Sequence, residues 1–78
     1  MQLSYDPRYN VAYLKFQEKE AKVETVCVSE ALLVDLASDG TIYGIELLNA
    51  NEQLLSMDAR RLIVTNEATG KAAELSLP

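Results

Sequence analysis

The sequence has no histidine and no tryptophan, a single cysteine, and three glycines that stand far apart. Without histidine, the commonest general base near neutral pH is missing, and so is the commonest metal ligand. Ser-His and Cys-His nucleophile systems are therefore excluded within one chain, as are zinc sites built from histidine or several cysteines. Cys27 has no partner for an intramolecular disulfide. Its place in the apolar-rich run Val23 to Val28 predicts a buried, inert core thiol. Gly40, Gly44 and Gly70 are too scattered for a phosphate-cradling loop. One Phe and four Tyr offer no platform on which bases would stack. Seven basic residues face twelve acidic ones, for a net charge of −5, and only Arg60 and Arg61 are adjacent. That is no phosphate-tracking stripe, so nucleic acid is not an expected partner. No apolar run approaches the ~20 residues of a membrane-spanning helix, and no charged-then-apolar leader pattern opens the chain. A cytoplasmic protein without cofactor, membrane contact or enzymatic activity is the expectation.

What is present is an ordinary globular composition, 49% hydrophobic and 24% charged over 78 residues. It predicts one domain, residues 1–78, with a core over 1–50 and an extension over 51–78. A chain this short buries only roughly 60–65% of its unfolded surface. A homodimer or higher homo-oligomer, which adds buried area, is accordingly expected. The acidic balance would also suit a basic protein partner.

The clearest structural signal is residues 31–50, ALLVDLASDGTIYGIELLNA. Asp39-Gly40 between two apolar runs predicts a hairpin with a two-residue type I′ turn, which needs positive φ at both positions. That turn would pair Leu36 with Tyr43, Val34 with Ile45 and Leu32 with Leu47 on one apolar face. The other face would pair Ala37 with Ile42, Asp35 with Gly44 and Leu33 with Glu46. Gly44 would leave a gap there, as at a bulge or a close backbone approach.

Before this hairpin, residues 2–5 and 10–17 read as two strands joined at Asp6-Pro7, a turn initiator. Tyr5 would face Ala12 and Leu3 would face Leu14, with Tyr13 on the opposite side. Residues 18–22 read as a solvated connection and 22–28 as a β-branched strand turning at Ser29-Glu30. After Ala50, Asn51 is a candidate helix N-cap with Glu52 in the first turn, Leu54, Leu55, Met57 and Leu62 along the helix, and Arg60 and Arg61 near its end. The tail returns to strands over 62–65 and 72–77, with Gly70 as the left-handed residue of the loop. The predicted class is α+β, mostly β: an antiparallel meander of about five to seven short strands with one short helix after the central hairpin.

Two constellations are candidate sites. Asp35 and Glu46 lie diagonally on adjacent strands, where a carboxylate pair can hold a divalent cation. Tyr5, Tyr9 and Tyr13 gather at the first hairpin, and amphipathic aromatics suit interfaces or a shallow ligand groove. Asp6, Pro7, Asp39, Gly40, Gly44 and Gly70 read as structural turn residues, and no residue as catalytic. The first expectation is a non-enzymatic protein-interaction module, self-associating or antitoxin-like toward a basic partner. The alternative is a small-ligand or divalent-cation module using Asp35, Glu46 and the tyrosines.

Tyr5-Asp6-Pro7 followed by Asn10-Val11-Ala12-Tyr13-Leu14 resembles the opening "YDP-x-x-(D/N)-(A/V)-x-Y-(I/L)" of the small bacterial DUF2283 proteins. Residues 34–50 resemble that family's second signature, "V-D-x-x-x-D-G-x-(I/V)-x-G-I-E-I-L-(D/N)-A". Asn10 and Asn49 stand where the pattern often has Asp. The resemblance spans residues 5–50 and implies a small, mostly antiparallel protein of unknown function, some of whose relatives are encoded beside toxin-like proteins. It says little about residues 51–78.

Overall fold

A computed structural model describes residues 1–18, 22–55 and 61–76. Seven strands and one helix follow in order: β1 (Gln2–Asp6), β2 (Val11–Lys15), β3 (Val23–Ser29), β4 (Leu32–Ala37), β5 (Ile42–Leu48), α1 (Ala50–Leu55), β6 (Arg61–Asn66) and β7 (Lys71–Ser76). Every pairing is antiparallel, so the expected mostly-β class with one short helix holds. Met57 and Arg60, expected in the helix, lie outside the described residues, as does Leu77. Leu62 and Arg61 belong to β6 instead.

The first five strands form one sheet in the order β1-β2-β5-β4-β3, and β6 and β7 form a separate hairpin. The meander therefore runs through β3, β4 and β5 only. The chain leaving β2 crosses to the far edge, and β5 docks beside β2. Side-chain pattern explains this choice: β2 and β5 each alternate an apolar with a mixed face, and pairing them joins like faces. Across all five strands run Leu3, Leu14, Ile45, Val34 and Val26, a continuous apolar row. The neighbouring row on the opposite side holds Gln2, Lys15, Gly44, Asp35 and Thr25.

The central hairpin differs from a type I′ turn. Only Gly40 has positive φ, at 88°, and Asp39 does not. Ala37 accepts the Gly40 N–H at 2.9 Å and donates its own to the Thr41 carbonyl at 2.8 Å, so the loop is the three residues Ser38, Asp39 and Gly40. Asp39 closes it by accepting from the Thr41 N–H and hydroxyl at 3.0 and 2.6 Å. That hydroxyl bond holds the Asp39 carboxyl below its usual pKa. The longer loop pairs Leu36 with Ile42 rather than Tyr43, and a bulge at Tyr43 then restores Asp35 opposite Gly44. From Leu32 to Asp35 the expected partners are kept.

Cys27 is exposed, not a core thiol; it lies on edge strand β3, where its sulfur reaches the Ser29 carbonyl at 3.3 Å. An apolar run on an edge strand that no described element covers cannot bury its members. The helix also begins earlier than expected. Asn49, at φ 56°, turns the chain out of β5, and its carbonyl accepts the Gln53 N–H. Asn51 is thus inside the helix rather than its N-cap.

Candidate functional site

The first hairpin turn and α1 are locked together by asparagines. Asn10 takes a left-handed φ of 58°, a conformation Asn tolerates better than most residues. From there its carbonyl accepts the Ala50 N–H at 3.1 Å, and its side-chain oxygen accepts the Asn51 N–H at 2.6 Å. The open N–H groups of the first helical turn are thus capped from across the sheet. Asn51 returns the contact: its oxygen accepts the Tyr5 hydroxyl at 2.5 Å, and its amide donates to the Pro7 carbonyl at 3.0 Å. Asp6 holds the turn itself, accepting the Arg8 N–H at 3.0 Å and pairing with its guanidinium at 3.0 Å. That bond lowers the Asp6 pKa.

Tyr13 anchors a second polar set. Its hydroxyl donates to Asp35 Oδ2 at 2.7 Å, while Asp35 Oδ1 accepts the Thr25 hydroxyl at 2.6 Å. Burial, with the Asp35 bond second, pushes the Tyr13 pKa up to about 12. The ring lies over Gly44, where a Cβ would collide with the hydroxyl and come within 2.7 Å of Cε1. The gap foreseen at Gly44 is therefore filled by a side chain, not another backbone, and Gly44 is a strand residue rather than a turn residue.

The three tyrosines do not converge. Alternation sends Tyr5 and Tyr13 to opposite faces, and their hydroxyls go to Asn51 and Asp35. Tyr9 stays 75% exposed under the Arg8 guanidinium, 5.5 Å from its ring centre. Tyr5 and Tyr13 still border one open groove of about 430 Å³, with Ser4, Asp6, Val11 and Glu46. Glu46 pairs with Tyr13 and Leu33, two residues along β5 from the Gly44 that Asp35 faces. Among the described residues, no three Asp, Glu or Cys side chains gather as a metal site would need.

The larger feature is the apolar face, of which alternation foresaw the central hairpin's part but not its continuation across all five strands. The buried hydrophobic residues among those described are Ala12, Ala37 and Ala50, and no larger side chain is fully covered. Leu3, Val26 and Ile42 are more than a third exposed. Cross-strand register was the signal that could have found it, because the row forms only once β2 lies beside β5.

These features define a small antiparallel sheet protein with one short helix pinned to its first turn and an apolar face that the described residues leave partly exposed. The chain belongs to the family of proteins of unknown function DUF2283, whose model matches residues 2–51. No curated protein and no solved structure matches the chain. The matched segment ends at Asn51, the residue that pins the helix to Tyr5 and Pro7. Asn10 and Asn49, the two left-handed residues other than glycine among those described, occupy the two Asp-or-Asn positions of the motifs.

Proposed function

We propose that the chain is a non-enzymatic protein-interaction module that works through the apolar face of its five-stranded sheet. The observation that carries this reading is a five-strand apolar row in a molecule whose buried described residues are no larger than alanine. Leaving apolar surface in water is unfavourable by roughly 25 cal/mol per Å², and large open patches on small proteins mark association sites. The polar groups support the same reading. Both Asp35 oxygens and the Tyr5 and Tyr13 hydroxyls are engaged in internal bonds that hold strands and helix in place.

The test is native mass spectrometry of the protein purified gently from its own host at low salt. A complex is the expected result, either of copies of this chain or with a second polypeptide. A basic second polypeptide whose affinity falls with salt would be the antitoxin-like form. A bare, compact monomer would overturn the reading.

A further inference from the structure

We propose that the partner is a second copy of this chain, and that each chain lays its β6–β7 hairpin on the other's apolar sheet face. This rests on the interaction-module reading and names the occupant of the face.

Two apolar surfaces that the described residues leave open in whole or in part carry the proposal. The first is the sheet face. The second is the hairpin, where Leu62 pairs with Leu75 and Val64 with Ala73, putting all four on one side. Every residue of both strands is exposed. A two-stranded hairpin is marginal in water on its own and needs a covering layer. The hairpin and the sheet face are each what the other lacks.

The area agrees. The chain exposes 5972 Å², whereas a compact chain of 8.6 kDa exposes about 4,700 Å². The surplus, roughly 1,300 Å² per chain or about 2,600 Å² for two, falls in the range of obligate homodimers. The radius of gyration says the same: 14.0 Å, against about 11.5 Å for a compact chain of this length.

Charge at the two surfaces permits a copy. Two chains of net charge −5 repel, so their contact must be nearly free of carboxylates. The register places a single carboxylate, Glu24 opposite Leu36, on the apolar side of β3 and β4, at the sheet edge. On the hairpin's apolar side the charged group is Lys71, paired with Asn66 at the loop end. One carboxylate and one ammonium, on complementary surfaces, leave no like charge to bury. Mutual exchange also makes the contact self-complementary, as two-fold symmetry requires.

The test uses the full chain alone, by sedimentation equilibrium and small-angle X-ray scattering. Val26→Lys on the sheet and Leu75→Glu on the hairpin change residues 39% and 60% exposed, so the single chain loses little packing. Glu67→Lys, in the hairpin loop, is the control. The expected result is a dimer that both variants weaken by roughly tenfold or more, the scale for a charge placed in a desolvated contact, and that the control leaves intact. A dimer indifferent to Leu75→Glu overturns the proposal while the interaction-module reading stands. A monomer with a radius near 14.0 Å does the same, since the face is then open to another partner. A monomer near the compact value means the chain's own hairpin closes the face, and both readings fall.

Discussion

At the scale of single residues, Gly44 and Tyr13 act as one unit. Gly44→Ala drives a methyl group into the Tyr13 ring, with an expected loss of about 1–3 kcal/mol by denaturant unfolding. In a Tyr13→Ala background the same change should be nearly neutral, and equal losses in both backgrounds would refute the contact. Tyr13 also sets a limit at high pH. Its folded pKa of about 12 lies above a tyrosine's ordinary 10.0, so between those values the folded chain holds a proton that the unfolded chain gives up. The stability from that shift is complete below pH 10.0 and drains away as pH climbs toward 12. Thermal melts across that range should show a falling Tm, and Tyr13→Phe should flatten the fall. Because Asp35 is engaged by Tyr13 and Thr25, Ca²⁺ or Mg²⁺ should leave the wild-type Tm unchanged; a rise would restore the cation-site alternative.

At the scale of elements, the turns and the helix lock are the points of weakness. Gly40 has open space around it but a φ of 88°, so the penalty for a side chain there is in the backbone alone. Gly40→Val should lower stability by about 1–2 kcal/mol or more, and Gly40→Asn by less. A Gly40→Val variant that melts with wild type would contradict the three-residue loop. Asn51→Ala removes the acceptor of Tyr5 and the donor to Pro7 and should cost about 1–3 kcal/mol. Amide exchange should then show α1 opening before the sheet; simultaneous opening would mean the helix is held by something else. Much at this scale was legible beforehand. The pairings Leu3 with Leu14 and Tyr5 with Ala12 follow from alternation and a short turn, and the last hairpin follows from Gly70. The cap on α1 was not legible, because Asn10 supplies it from forty residues away in sequence.

At the scale of the whole molecule, the described residues leave the apolar side of the five-stranded sheet partly exposed. The proposed association surface is apolar, so the proposed assembly should persist or tighten as salt rises. Sedimentation at low and high salt checks this, and a complex that dissociates with salt would point instead to a contact made by charges. Cys27 and the exposed valines of β3 lie on both sides of the sheet, Val26 and Val28 on the apolar side and Val23 and Cys27 on the other, and they are exposed for one reason. They lie on an edge strand of a single layer, where the rule that apolar runs are buried has no second layer to act through.

The amino-acid sequence by itself determined the local structure: the strands, the Gly70 loop, the mostly-β class and the family motif, because alternation, glycine and short loops act over a few residues. It also ruled out histidine-based chemistry outright. Only the tertiary structure decided which strands became neighbours, since β2 meeting β5 depends on matching faces far apart in the chain. From that pairing came the ring of Tyr13 over Gly44, the engagement of Asp35, and the cap that Asn10 places on α1. From it, too, came the apolar row across five strands, which no stretch of the sequence displays because each strand contributes a single residue.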